Sequence, residues 1–422
     1  MAFRFVHTAD IHLDSPLRSL ALRNPALSDL IATATRTAFE RIIDLCLDEA
    51  VDALLIAGDL YDGQQTSMKT ARFLGQQFQR LSAAGIAVCI IRGNHDALSK
   101  ITKELVLPDN VTVFGAQAGV RTFHTGTRPV AVHGVSFAKP HAPDSLLDRF
   151  DAPVPGAINI AMLHTSLGGA IGHDPYAPCA VPDLMTRGFD YWALGHVHIR
   201  AVHQGRACVV MPGMPQARDI GEAGAKSVTL GDIADDGTVS LQERSVAVAQ
   251  FERLPLDLSH AADWPTGIRH LEQMLRQARR DHGADHLVIR PMLHGGSALC
   301  WQTQRDADLL LAEAEAVGDS IGSLWIDKIE NHLTAQRDTH PAQGPMSDLA
   351  TLMQTGALHD PAREAEAAQI TEELLRALPR DLRGLFGDTP DATATLRDTL
   401  LQEGATEVLA RFAPDSDAAG QN

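Results

Sequence analysis

The sequence contains no CxxC pair, and its five cysteines (Cys46, Cys89, Cys179, Cys208 and Cys300) are odd in number and scattered. A disulfide framework or a cysteine-based zinc site needs paired or clustered thiols, so neither is expected. No apolar run approaches the ~18 to 20 residues of a membrane-spanning helix, so no contact with a membrane is expected. The opening MAFRFVHTAD lacks the basic-then-apolar layout of a signal peptide, and a cytoplasmic location is the expectation. Lysine is scarce, six of the 36 basic residues, which leaves arginine as the main cation. Arginine can grip a phosphate with two N–H groups at once, although most of these residues read as solvated surface charge. Internal repeats and low-complexity tracts are absent.

What is present describes a globular chain. Its 422 residues are 45% hydrophobic and 21% charged, enough for two or three domains with sizeable cores. The net charge of −17 is uneven: residues 1–245 carry 25 acids and 21 bases, whereas residues 246–422 carry 28 and 15. Such a balance argues against a broad basic surface for nucleic acid. It leaves room for a local one, because metal ions can supply positive charge at the phosphate itself.

From Phe3 to Ser245 short apolar runs alternate with amphipathic ones. Strands are expected at Phe3–His7, Ala53–Ala57, Ile86–Ile91, Val130–Val135, Ile158–Leu163, Tyr191–Leu194, Cys208–Met211, Ser227–Leu230 and Val239–Val246, with helices over Ala34–Glu49 and Ser67–Ala84. This pattern predicts an α/β domain over 1–248, with two mixed sheets packed between helices. A smaller α+β domain is expected over 249–335, then a breaker-rich linker (336–348), a helical region over 349–411 and a disordered tail, 412–422. Within the helical region, Pro361–Leu378 puts Ile370, Leu374, Leu375 and Leu378 on one side. That face packs on its own domain or on a partner.

Five strand candidates end alike, in an apolar run followed at once by side chains that bind divalent metals. They are FRFVHT before Asp10 and His12, ALLIA before Gly58-Asp59, IAVCIIR before Gly93-Asn94-His95-Asp96, INIAML before His164, and YWAL before Gly195-His196-Val197-His198. In an open α/β sheet, ligand groups gather beyond the carboxyl ends of the strands, so these endings converge in space. An extended exit from the first strand would point Asp10 and His12 the same way. The glycine of Gly58-Asp59 permits a sharp turn, and a carboxylate with two oxygens can serve two ions. Imidazole, carboxylate and amide together suit Mn²⁺, Fe²⁺ or Zn²⁺ better than Ca²⁺ or Mg²⁺. One Asp-x-His or Gly-Asp alone is an ordinary turn; the metal reading rests on five endings in this order. His7, His124, His133, His141, His173 and His203 read as surface or core histidines, and Asp14 and Asp96 as turn or supporting groups.

The order DxH, GD, GNHD, H, GHxH resembles that of the calcineurin-like metallophosphoesterases. The fuller forms HTADIHLDSPL, IAGDLYD, IRGNHD and YWALGHVH look like DNA repair exonucleases of the SbcD and YhaO-like type. The resemblance covers residues 1–245. It implies a four-layer α-β-β-α core, a small capping domain, and helices that meet an SbcC-like coiled-coil ATPase. It implies two divalent ions, Mn²⁺ first, with Fe²⁺, Zn²⁺ or Mg²⁺ as alternatives. Asp10, His12 and His198 would hold one ion, Asn94, His164 and His196 the other, and Asp59 would bridge them. His95 would be left to act on the scissile phosphate. Some members carry a histidine near the phosphate where this chain has Asp62, so a substrate-binding role at that position does not transfer. The segment GEAGAKS (221–227) looks like a phosphate-binding loop but has Ala225 where glycine is needed, and a strand-like run follows it. Residues 212–218 (PGMPQAR) shape the rim of the site or form a plain turn.

Three functions are then in play. The first is a Mn²⁺-dependent exonuclease that degrades DNA ends in the 3′ to 5′ sense, with an ATPase partner. The second is a phosphoesterase for a small phosphodiester or phosphomonoester. The third is an acidic assembly or regulatory subunit with weak nuclease activity, which the complete set of candidate ligands disfavours. Whether the chain forms a homodimer is left open.

Overall fold

The structure is a computed structural model that describes residues 3–15, 25–61, 67–97, 107–168, 176–335, 345–353, 360–378 and 389–412. Asp62, His173, residues 336–344 of the expected linker and the expected tail from residue 413 onward lie outside the described residues. Strands β1 (Phe3–Thr8), β2 (Ala53–Ala57), β3 (Ala87–Ile91), β4 (Val111–Val113), β5 (Gly119–Phe123), β6 (Val130–Val135), β7 (Ile158–His164), β8 (Tyr191–Gly195), β9 (Ala201–Gln204), β10 (Cys208–Met211), β11 (Ser227–Ile233) and β12 (Val239–Ser245) build the first part of the chain. They form two six-stranded sheets, in the orders β12-β11-β1-β2-β3-β4 and β5-β6-β7-β8-β10-β9. In the first sheet β1 to β4 are parallel and β11 and β12 antiparallel. In the second, β6, β7, β8 and β10 are parallel and the edge strands β5 and β9 antiparallel.

Each central strand is buried on both faces, which is why it reads as an unbroken apolar run. Val6, Leu54, Ile56, Val88 and Ile90 pack outward on Phe39, Ile42, Ile43, Leu74 and Phe78, which belong to helices α1 (Pro25–Asp48) and α2 (Met68–Ala83). Their alternate neighbours Phe5, Leu55, Ala57, Cys89 and Ile91 pack inward on Val132, Ile160, Met162, Tyr191 and Val210 of the second sheet. Full burial of such a side chain contributes roughly 1.5–3 kcal/mol, so these two layers dominate the stability of the core. Helix α2 begins at Ser67, whose side chain accepts from the Lys69 N–H at 3.2 Å, and gives way to Gly85 at φ +74°.

The outer face of the second sheet is covered by shorter elements than those on the first. Leu163, Trp192, Leu194, Val209 and Met211 pack on Phe137, Leu147, Leu184 and Phe189. Among the described residues these come from loops, a single turn at Leu147–Arg149 and a five-residue helix at Val181–Met185. Trp192 Nε1 donates to the Leu184 carbonyl at 3.1 Å and ties that short helix down.

The chain divides into two compact units, Met1–Glu252 with His282–Val288, and Arg253–Asp281 with Ile289–Asn422. In the second unit, helix Trp264–Asp281 packs on helix Ala307–Ile321, and Met292–Ser297 pairs in parallel with strand Glu330–Ala335. Helices Pro361–Ala377 and Pro390–Phe412 pack on each other. On the first of these Thr371 is buried, while Ile370 and Leu374 remain 56% and 50% exposed. Among the described residues, no helix is long and apolar enough to cross a membrane.

Candidate metal centre

The parallel strands β1, β2 and β3 of one sheet, and β7 and β8 of the other, deliver their carboxyl ends to one place. The chain leaving β1 stays paired with the chain leaving β2: Asp10 N–H donates to the Gly58 carbonyl at 3.0 Å and His12 N–H to the Asp59 carbonyl at 3.1 Å. The exit is not extended, as the spacing of Asp10 and His12 had implied. Asp10 (φ 53°) and His12 (φ 46°) both lie in the left-handed region, as do Asp59 (φ 52°) and His196 (φ 102°). Non-glycine residues held there cost of order 1–3 kcal/mol each and persist only where the surroundings fix them.

The side chains converge in two groups. Asp10, His12 and His198 present ligand atoms within 4.8 Å of one another, and the two imidazole Nε2 atoms lie 3.2 Å apart. On the other side the Asn94 Oδ1 lies 3.0 Å from His164 Nε2 and 3.3 Å from His196 Nδ1. Asp59 stands between, its Oδ2 3.4 Å from His164 Nε2 and 4.0 Å from His12 Nε2. The Asp10 carboxylate accepts the His196 N–H at 2.9 and 3.2 Å. His95 is exposed at the edge, its ring edge-on to His12 with centroids 4.9 Å apart, while its N–H donates to Asp59 Oδ1 at 3.0 Å. His95 also forms a ligand triplet with His12 and Asp59, so geometry alone does not keep it off a metal.

The hydrogen bonds test whether a cation fits. His164 Nδ1 donates to the Ala57 carbonyl at 2.9 Å, so a neutral ring aims its Nε2 lone pair at Asn94 Oδ1 and Asp59 Oδ2, both acceptors. His198 Nδ1 donates to Glu222 Oε1 at 3.1 Å, and its Nε2 lone pair faces His12 Nε2. Converging lone pairs need a proton or a cation. Protons alone meet the need only through large shifts. Burial lowers the His164 pKa, but the Asp59 carboxylate more than offsets it and raises it to about 9. Burial and the charge of His164 push His196 down to about 3. A divalent ion satisfies the same atoms directly. Two imidazoles on one ion with bonds of ~2.0–2.1 Å have nitrogens about 3.0–3.4 Å apart, which matches the His12–His198 separation.

Tight packing holds the groups in place. A Cβ on Gly58 would lie 2.4 Å from His164 Nδ1, and one on Gly195 would lie 2.1 Å from the Ala57 carbonyl oxygen. Asp96 is a supporting group: its oxygens accept the Gly93 N–H at 2.6 Å and the Leu60 N–H at 3.0 Å, tying two ligand-bearing turns together. Burial and the Asp59 charge push its carboxyl up to about 7. Asp14 is held by Arg36 and Thr70, and His7 and His133 are core histidines bonded to Tyr191 and Asn159. Two neighbours were not foreseen. Tyr176 sets its ring 5.1 Å from that of His196, and Glu222 holds His198. Burial would raise the Glu222 carboxyl, but hydrogen bonds from His198 and Arg218 hold it well below the usual carboxylate range.

A cluster of candidate metal ligands at the parallel-strand ends of two packed mixed sheets is the arrangement of a metal-dependent phosphoester hydrolase. The chain belongs to the calcineurin-like metallophosphoesterases: the calcineurin-like phosphoesterase family matches residues 3–200, and the middle domain of metallophosphoesterase YhaO matches residues 251–334. It is 33% identical over 294 residues to an uncharacterized metallophosphoesterase YhaO of Bacillus subtilis, a match covering 69% of this chain and 71% of that protein. The DNA double-strand break repair protein Mre11 of Methanopyrus kandleri is 26% identical over 217 residues, 46% of this chain and 44% of that protein. Mre11 of Sulfurisphaera tokodaii is 25% identical over 218 residues, 50% of this chain and 54% of that protein. The chain therefore spans only about half the length of these Mre11 relatives.

Proposed function

We propose that this chain is a Mn²⁺-dependent DNA exonuclease of DNA repair, degrading duplex ends 3′ to 5′ with an SbcC-like ATPase as its partner. The observation that carries the chemistry is the convergence of acceptor lone pairs beside Asp59, with Asn94 Oδ1 and Asp59 Oδ2 both within 3.4 Å of His164 Nε2. Asp10, His12 and His198 would hold one ion, Asn94, His164 and His196 the other, with Asp59 facing both. When bound, such a pair lowers the pKa of a water and neutralises charge on a phosphate.

The chain's own residues do the rest. The His196 N–H fixes the Asp10 carboxylate and the His95 N–H fixes that of Asp59, so neither needs to reorganise during turnover. The exposed His95 imidazole, next to His12 and Asp59, is placed to donate to a phosphate oxygen or to the departing oxygen. Support for DNA comes from the forms HTADIHLDSPL and GNHD and from relatives named for double-strand break repair. The net charge of −17 favours a second reading, a small phosphodiester or phosphomonoester as substrate.

Digestion of an end-labelled linear duplex with Mn²⁺, beside the His95→Ala protein and bis(p-nitrophenyl) phosphate, separates the two. Short labelled products from the wild type alone support the nuclease. Cleavage of the dye ester without loss of DNA, even with an SbcC-like ATPase supplied, supports the small substrate.

A further inference from the structure

We infer that Glu222 is a positioning residue for His198: it fixes the imidazole with hydrogen on Nδ1, so that the Nε2 lone pair is presented to the ion shared with Asp10 and His12. The inference rests on the dimetal reading above. Glu222 Oε1 accepts from His198 Nδ1 at 3.1 Å, and the two side chains are 13% and 29% exposed. A ring whose far nitrogen is held by a carboxylate has its tautomer and its orientation set, and its basicity toward a metal raised.

Four features hold Glu222 where it can do this. The Arg218 N–H donates to Oε2 at 2.8 Å, and the Arg218 guanidinium bonds both carboxylate oxygens, with Nε 3.1 Å from Oε1 and 3.3 Å from Oε2. Asp219 caps the single turn Ile220–Glu222, its side chain accepting the Gly221 N–H at 2.7 Å. Upstream, the fully buried Gln216 uses its whole amide: Oε1 accepts from Val248 and Ala249 N–H at 2.7 and 3.2 Å, and Nε2 donates to the Ala217 and Ala249 carbonyls at 2.7 and 2.8 Å. At the start of the same stretch, Gly213 (φ +74°) lets the backbone run against the His198 loop, since a Cβ there would lie 3.0 Å from the His198 carbonyl oxygen. The segment over 213–222 is thus a rigid arm that ends on the imidazole. An ordinary Arg218–Glu222 ion pair would need none of this, and would leave the metal site indifferent to its loss.

The test uses the full chain stripped of metal, with Mn²⁺ titrated calorimetrically and the histidine tautomers read by ¹⁵N NMR. Wild type is expected to bind two equivalents, with His198 protonated on Nδ1. Glu222→Ala should weaken one equivalent about 10- to 100-fold and leave the other unchanged, with Glu222→Gln intermediate and Glu222→Asp largely restored. The metal-free melting temperature of Glu222→Gln should stay close to wild type, which separates positioning from folding. Two-site affinity within threefold of wild type in Glu222→Gln and Glu222→Ala, with an unchanged tautomer, overturns the inference. A Glu222→Ala chain that does not fold leaves the decision to the affinity and tautomer of Glu222→Gln. Failure of the wild type to bind two ions would instead sink the dimetal reading itself.

Discussion

A methyl group on Gly93 probes how closely the centre is enclosed. An added Cβ would lie 2.3 Å from Asp59 Oδ1 and 2.7 Å from both Cε1 and Nε2 of His164. Carbon–oxygen contacts normally begin at about 3.3 Å, so the Asp59 carboxylate or the Gly93 backbone must give by about 1 Å. Neither gives easily. Asp59 Oδ1 is engaged by the His95 N–H at 3.0 Å, and Gly93 N–H is pinned by Asp96 at 2.6 Å. A displacement of this size at a reacting centre costs on the order of 100-fold in turnover, or about 2.7 kcal/mol of barrier. Overpacking should also cost about 1–3 kcal/mol of stability. The assay is Mn²⁺-dependent hydrolysis of bis(p-nitrophenyl) phosphate, run with metal content and thermal unfolding. Gly156→Ala is the control, because its φ of +76° strains an alanine while nothing lies within 4 Å of the added Cβ. Folded Gly93→Ala protein with turnover within threefold of wild type would refute the reasoning, and Asp59 would then not be the enclosed hinge of the centre.

The remaining predictions concern the centre and its supporting core. Asp59→Ala should lose paired metal binding and turnover together, whereas His95→Ala should lose about 10²- to 10⁴-fold in turnover and keep both ions, as measured by metal analysis beside the dye assay. Full turnover in His95→Ala would remove that residue from the chemistry. In the core, burial above all pushes the His7 pKa down to about 3, so the ring is neutral in the folded protein. The unfolded chain takes up a proton near pH 6.5, so this stability is complete above that pH and is lost as pH falls toward 3, up to roughly 4–5 kcal/mol. Tyr191→Phe removes the hydroxyl 2.9 Å from His7 Nδ1 and leaves a buried acceptor unpaired, at a cost of about 1–3 kcal/mol. Equal urea midpoints for this variant and wild type at pH 7.5 would count against that network.

The candidate ligands were legible because each follows directly on an apolar strand, so the local pattern carries both the element and its functional ending. Glu222 was not, for a physical reason. It lies 24 residues beyond His198, in a stretch with no periodicity, and meets it only because Gln216 and Gly213 fix the intervening chain. The same stretch resembles a phosphate-binding loop, yet Ser227–Ile233 is a strand of the first sheet. The particular residues that cover the second sheet were less legible, since Phe137, Leu147 and Leu184 sit in a loop, a single turn and a five-residue helix, too short to leave a repeat to read. Nor does sequence reveal that His286 N–H pairs back to the Val248 carbonyl at 3.0 Å, which returns residues 282–288 to the first unit.

Asp10 and His12 do come together, but not by the local argument that their spacing suggested. The spacing suggested an extended strand exit, with both side chains pointing the same way by alternation. The structure instead turns each of them into the left-handed region, a conformation that aspartate and histidine adopt more readily than most residues with a Cβ. What makes them converge is the pairing of this turn with the one after β2, through the Gly58 and Asp59 carbonyls, and the His164 ring reaching across from the second sheet to the Ala57 carbonyl. Four strained residues at roughly 1–3 kcal/mol each would unravel an isolated loop. Here they sit between strands buried on both faces, whose packing exceeds that strain. The packing of the two sheets therefore fixes the direction in which each of these side chains presents its ligand atoms.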